Sequence, residues 1–107
     1  MIYGYQSEKL SAARSALMLP HLRGEAASIA NAFHEIQLAF HRMDESGLDD
    51  NAGTWVRKLK ELMDTTGLVD PDSVGLWTIK AQQLGIDEKI EVSRCVDELA
   101  HWFREER

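Results

Sequence analysis

Histidines and carboxylates are the side chains whose spacing in this sequence most suggests chemistry. His34 and His41 are seven residues apart in the stretch HEIQLAFH. On a helix that separation is about 10 Å of rise, so these two side chains alone cannot hold one metal ion. His41 with Glu45 and His21 with Glu25 have i,i+4 spacing, but each pair offers two ligands where a zinc site uses three or four. We therefore interpret these pairs as neighbours on a helix surface and predict no metal site.

Two other patterns resemble metal motifs and fail on their details. Glu98 and His101 have the Glu-x-x-His spacing of carboxylate-bridged di-iron bundles, but those sites use the motif twice, and we expect His101 to face solvent. The acidic stretch 70–75 begins like a calcium-binding loop, but Val74 and Ala81 occupy two of the ligand positions. Helix capping and turn formation explain these acids, and the sequence predicts no cofactor.

No pattern of nucleophile and base is visible in the chain. The sequence has no glycine-rich phosphate loop, no G-x-S-x-G turn and no H-x-E with C-x-x-C. The single cysteine, Cys95, falls on the predicted inner face of a helix, where we expect an unreactive core thiol. A non-catalytic protein is thus favoured over an enzyme. A small helical enzyme without a recognisable motif, or a metal binder using His34, His41 or His101 with nearby acids, remains the alternative.

Composition restricts the class of protein and its partners. The 107 residues suit one domain, 1–107, and a net charge of −6 with 44% apolar residues is typical of a folded acidic protein. The densest basic run is Arg57, Lys58 and Lys60, which is too little charge to hold a nucleic-acid backbone. No apolar stretch reaches membrane-spanning length. We expect no nucleic acid, no membrane and, from the lone cysteine, a cytoplasmic protein.

The elements that must position these side chains are helices. Apolar residues recur at helical spacing and strand-like alternation is missing, so we predict an all-α fold, a compact single-domain bundle of about five helices. Glycines and prolines fall between the periodic segments. The predicted helices cover about 7–18, about 20–43, from Asp50 or Asn51 to Gly67, from an Asp70 cap to Gly85, and from Asp87 to the end.

The second predicted helix has the strongest pattern. Its apolar residues follow heptad-like spacings of 4 and 3, which predicts one long helix with a continuous buried face; they are Leu22, Ala26, Ile29, Phe33, Ile36, Phe40 and Met43. In the fourth helix Leu76 and Ile79 lie opposite the other apolar residues, which favours a central position in the bundle. In the last helix Ile90 does not fit the inner face, and we expect it to pack on Ile86.

A second row of residues runs along the second helix, opposite the apolar face. We call it the histidine strip; its members are Ala27, Asn31, His34, Leu38, His41 and Glu45. Three interpretations stay open: another helix of the chain covers it with the histidines at the rim, it forms an interface with a second copy or another protein, or it faces solvent with Leu38 exposed alone. As an interface it would be a weak pH sensor, because histidine side chains ordinarily titrate near pH 6.5.

Three tryptophans, Trp55, Trp77 and Trp102, are many for a chain of this length. Core packing is their usual role, and a small-ligand pocket between helices walled by them is the alternative. Taken together, the residues favour a non-catalytic protein–protein interaction module that self-associates or binds a protein partner through a helical face. The acidic net charge favours a basic partner. The second hypothesis is a helical small-ligand or metal-binding protein.

Overall fold

The computed structural model describes residues 3–18 and 24–105, and in these ranges it contains helices and no strand. The result confirms the predicted all-α bundle of five helices. A single-turn 3₁₀ helix, Glu45–Gly47, lies between the second and third. The α-helices are α1 (Gly4–Met18), α2 (Glu25–Phe40), α3 (Asp50–Met63), α4 (Leu76–Gln83) and α5 (Ile86–Glu105). The predicted contributions of Pro20, His21 and Leu22 lie outside the described residues.

Helix α1 is the centre of the bundle, because it packs against both α2 and α5. Gln6 near its start donates a hydrogen bond of 3.2 Å to the carbonyl oxygen of Ala39 at the end of α2. Arg14 near its end forms a 2.7 Å ion pair with Asp97 of α5. These contacts show that α1 runs antiparallel to both neighbours. Helix α3 packs on α5, and α4 packs on α2.

The core is built largely from the apolar faces that the spacing predicted. Ile29, Phe33 and Ile36 of α2 are buried. In α5 the buried residues include Val92, Cys95, Val96, Leu99 and Phe103, whereas Trp102 is half-buried. Sequence reasoning missed Tyr3, which is 4% exposed. Its hydroxyl donates a 2.7 Å hydrogen bond to the carbonyl oxygen of Asp44, and its ring packs 5.1 Å from that of Phe103. Tyr3 thereby ties the start of α1 to the loop after α2.

Helix α3 starts at Asp50, as predicted, but its cap and its end differ from the prediction. Its cap is Asp49, whose side chain accepts a 2.8 Å hydrogen bond from the backbone N–H of Ala52. The helix ends at Met63 rather than at Gly67. The side chain of Asp64 accepts hydrogen bonds from the backbone N–H and the hydroxyl of Thr66, so the chain forms a turn before it reaches the glycine.

The prediction for α4 was wrong in its start and in its place in the bundle. Asp70 does not begin a helix; its carboxylate accepts 2.8 Å hydrogen bonds from the backbone N–H groups of Val74 and Gly75. This turn, with Gly75 at φ +104°, delays the helix to Leu76. Ala81 is the one fully buried residue of α4, and Leu76 is 39% exposed. Helix α4 is therefore a peripheral element on α2.

Candidate interaction surfaces

The histidine strip lies on the side of α2 that faces away from α1. Asn31 and His34 are exposed, and Ala27 and Leu38 are half-buried. The strip is shorter as a helical face than the sequence predicted, because α2 ends at Phe40. His41 is the extended C-cap residue, and Glu45 belongs to the following 3₁₀ helix. The backbone turns at Arg42, which has φ +57°.

Helix α4 borders one edge of the strip. The ring of Trp77 lies 6.4 Å from that of His34, edge-on at 70°, and 6.5 Å from that of Phe33. The indole N–H donates a 3.2 Å hydrogen bond to the carbonyl oxygen of Met63 at the end of α3. Trp77 thus joins α4 to α2 and α3, and the hydrogen bond to Met63 holds the indole ring in one orientation. The strip is bordered by another helix of the chain at His34.

An open cleft of about 380 Å³ adjoins the strip where α2, α3 and α4 meet. Phe40, Met63 and Trp77 supply its apolar surface. Its polar lining comes from Gln37, His41, Lys60, Asp64 and Thr65. Lys60 also forms a 3.3 Å ion pair with Glu45, so the last two members of the histidine strip stand beside this cleft. Sequence reasoning missed the cleft because its residues come from three helices.

The three tryptophans of the proposed ligand pocket are spread over the bundle. Trp102 donates a 3.0 Å hydrogen bond to Asp49 at the start of α3, whereas Trp77 binds Met63 at the end of that helix. A helix of 14 residues is about 20 Å long, so these two indoles do not wall one cavity. Trp55 of α3 is half-buried against the core. The ring of Trp102 packs 5.5 Å from that of Tyr3.

Cys95 and His101 both have the exposure that the sequence predicted. Cys95 is buried, as predicted, and desolvation raises the pKa of its thiol to about 11, so the thiol is a poor nucleophile at neutral pH. His101 is exposed, as predicted, and its Nδ1 lies 3.1 Å from the Arg104 guanidinium. In residues 3–18 and 24–105, no three His, Cys, Asp or Glu side chains converge as metal ligands do. None of the helices there has the length and apolar character needed to cross a bilayer.

A second surface lies at the start of α5. Ile86 is 77% exposed and Ile90 is 58% exposed, so the predicted packing of Ile90 on Ile86 does not bury either residue. A groove of about 390 Å³ between α3 and α5 lies nearby. It is lined by Lys58, Glu61, Leu62, Asp87, Glu88 and Glu91. One indication of this exposed surface was present in the sequence: Ile90 does not fit the predicted inner face of its helix.

Glu91 is the best-paired carboxylate of this groove. It accepts a 2.6 Å hydrogen bond from Arg94 and lies 3.0 Å from Lys58 of α3. These two partners lower the pKa of the Glu91 carboxyl to about 2.

Comparison of the chain with protein-family models, with curated proteins and with solved structures finds no match in any of the three. The two surfaces are therefore interpreted from their own chemistry.

Proposed function

We propose that this protein is a non-catalytic interaction module that binds a second copy of itself through the histidine strip and the adjoining cleft. One observation carries the proposal: the cleft presents the apolar groups of Phe40, Met63 and Trp77 within a polar rim. Protein interfaces typically combine an apolar, aromatic centre with such a rim. The half-buried Leu38 of the strip would supply the apolar side chain that enters the cleft of the other copy.

The charges around the cleft favour a second copy as the occupant. The cleft lining contains the basic Lys60 and the acidic Asp64, and Lys60 pairs with Glu45 at its edge. In a two-fold symmetric contact the same patch meets itself, and a patch that holds both signs can pair with itself without net repulsion. Elsewhere the surface of a protein with net charge −6 would repel a second copy, because acidic side chains would face acidic side chains. A different protein partner on the same face is the alternative.

The first test is molar mass by size-exclusion chromatography with light scattering at pH 7.5 and pH 5.5. We expect twice the chain mass of 12.1 kDa at the higher pH. A 12.1 kDa species at both pH values would reject self-association.

The matched variants are Leu38→Glu and Ile90→Glu. Each places a carboxylate on a partly or largely exposed apolar residue, but only the first lies on the histidine strip. We expect Leu38→Glu to give a monomer at pH 7.5 and Ile90→Glu to leave the dimer intact. The reverse pattern would move the interface to the start of α5.

Binding of a small planar ligand in the same cleft is the second candidate function. The cleft volume of about 380 Å³ falls within the range of small-molecule sites, and the fixed Trp77 ring offers a stacking surface. Quenching of tryptophan fluorescence by a ligand library tests this idea, with Trp77→Phe as the variant that loses the response.

We propose that the protein is located in the cytoplasm, because a free, buried cysteine suits a reducing compartment.

A further inference from the structure

We propose that the start of α5 is a second docking surface, which binds a basic amphipathic helix of a partner protein. The surface combines the exposed Ile86 and Ile90 with acids of the neighbouring groove between α3 and α5. That groove is lined by Glu61, Asp87 and Glu88 among others, and by neither isoleucine. The surface lies on α3 and α5 rather than on the outer face of α2, and it does not rest on the proposed self-association. If both surfaces act, the protein joins a copy of itself to a different partner.

Two exposed isoleucines supply the apolar part of the surface. Ile86 and Ile90 are one helical turn apart, so their side chains lie on the same side of α5. They are 77% and 58% exposed, whereas Val92, the next aliphatic residue of the helix, is fully buried. Neighbouring exposed aliphatic side chains of this kind are typical of surfaces that bind another apolar surface.

Ion pairing within the chain decides which charges remain for a partner. Glu91 is engaged by both Lys58 and Arg94, and Lys89, which lies between Glu88 and Ile90, pairs with Glu25 of α2. Among the described residues, Glu61 and Asp87 form no ion pair with a basic side chain, and both are exposed. Negative charge therefore stays available at Asp87, which follows Ile86 and lies three residues before Ile90, and in the adjoining groove at Glu61.

Glu88 adds to this charge without being free to move. Its carboxylate accepts a 2.9 Å hydrogen bond from the backbone N–H of Gly85, which caps the start of α5. The side chain remains exposed and keeps its charge in that position. Because its capping role is structural, Glu88 is left unchanged in the test below.

The combination of apolar and acidic groups selects the occupant. A second copy is disfavoured, since a symmetric contact would place Glu61 and Asp87 against the same acids of the other copy. Nucleic acids and anionic membranes are repelled by the same charges. An amphipathic helix fits both features, because its apolar stripe covers the isoleucines while its lysines and arginines meet the carboxylates.

The experiment measures binding of a fluorescently labelled probe helix to the full chain by anisotropy. The probe is a peptide of about 18 residues with leucine at i, i+3, i+4 and i+7 positions and lysine elsewhere. A second probe carries glutamate in place of every lysine. We expect the lysine probe to bind, to bind more weakly as salt rises, and the glutamate probe not to bind. Failure of the lysine probe to bind, or equal binding of both probes, would overturn the proposal.

Two matched pairs of variants locate the binding site. We expect Ile86→Ser with Ile90→Ser to weaken binding about tenfold or more, and Glu61→Gln with Asp87→Asn to weaken it several-fold and reduce its dependence on salt. The controls are Val69→Ser, which removes an aliphatic side chain that is 75% exposed elsewhere, and Asp72→Asn, which removes an exposed carboxylate. Neither control should change binding.

Equal loss of binding in the controls would show that the probe responds only to overall charge and hydrophobicity, which contradicts a defined site. A fall from dimer to monomer in the Ile86→Ser, Ile90→Ser variant without any probe would assign the surface to a second copy and also overturn the proposal. The proposed self-association fails separately, through the light-scattering mass and the Leu38→Glu variant. The two proposals can therefore be judged independently.

Discussion

Neither α1 nor α4 has a strong apolar pattern in the sequence, yet α1 lies inside the bundle and α4 lies at its edge. Helix α1 lies between α2 and α5, and its Leu10 and Ala13 have no exposed surface. Helix α4 packs on α2 alone among its larger contacts, and it is fixed chiefly by Trp77 and Ala81. A helix that is covered on two sides is part of the cooperative core, whereas one held on a single side can open by itself.

The largest difference between these helices should appear on truncating an aliphatic residue in each. Leu10→Ala leaves a cavity where α1 meets its neighbours, and we expect it to lower the free energy of unfolding by about 2–5 kcal/mol. Leu76→Ala in α4 removes a side chain that is 39% exposed, and we expect a loss of under about 1 kcal/mol. Urea denaturation followed by circular dichroism measures both.

The same chemical change at the two sites makes each variant the control for the other. Similar losses of stability would mean that α4 belongs to the core as much as α1 does. Domains of this size are usually stable by only about 5–15 kcal/mol, so Leu10→Ala is best measured at low temperature, where a partly unfolded population is smallest.

The contrast between α1 and α4 also explains how far sequence reasoning reached. The buried faces of α2 and α5 were largely predicted, because a single apolar face defines a single direction of burial. The end of α2 was predicted too late, at Met43 instead of Phe40. Helix α4 has apolar residues on both sides, and that pattern was interpreted as a central position. In fact Leu76 is 39% exposed and Ile79 is half-buried, because α4 packs on α2 alone among its larger contacts.

Contacts between distant parts of the chain were beyond the sequence. Tyr3 and Asp44 are 41 residues apart, and Gln6 and Ala39 are 33 apart, so no local spacing signals these bonds. The histidine strip was visible as a periodic row, but the cleft beside it depends on where Met63 and Trp77 meet α2. A sequence pattern indicates one face of a helix, and tertiary packing decides what lies next to it.

Removing the Trp77 ring should release α4 from the bundle with a smaller loss of stability than Leu10→Ala causes. Trp77→Ala deletes the packing on Phe33 and the hydrogen bond to Met63, and we expect a loss of about 2 kcal/mol. Amide hydrogen exchange should show faster exchange in α4 with little change in α1 and α5. Trp77→Phe, which retains an aromatic ring, should keep most of the protection. Faster exchange across all five helices would show that α4 does not open independently.

A smaller effect is expected at the start of α1. Tyr3→Phe removes the 2.7 Å hydrogen bond to Asp44 while retaining the ring, and we expect a loss of about 1 kcal/mol. Gly47 provides an internal check, because a Cβ atom built there would lie 2.5 Å from the Tyr3 hydroxyl. Gly47→Ala should therefore destabilise the wild type more than it destabilises Tyr3→Phe. Equal losses in both backgrounds would mean that the hydroxyl does not restrict position 47.

The smallest effect should come from Glu91, and it should depend on pH. Its partners Arg94 and Lys58 lower the pKa of the folded state from 4.5 to about 2, so the ion pairs stabilise the fold fully above pH 4.5 and lose this contribution as the pH falls towards 2. Other carboxylates with lowered pKa values, such as Asp49 and Asp64, make the wild type less stable in acid as well. The informative quantity is thus the difference in unfolding free energy between wild type and Glu91→Gln.

That difference should be largest at neutral pH and shrink as the pH falls from 4.5 to 2. The control is the same substitution in a variant that lacks both cations, Lys58→Gln with Arg94→Gln, where Glu91→Gln should show no such dependence on pH. A difference that stays constant across this range would mean that Glu91 acts through packing rather than charge. Because the Lys58–Glu91 ion pair joins α3 to α5 at the acidic groove, its loss also tests how much this pair stabilises the groove that we propose as a docking surface.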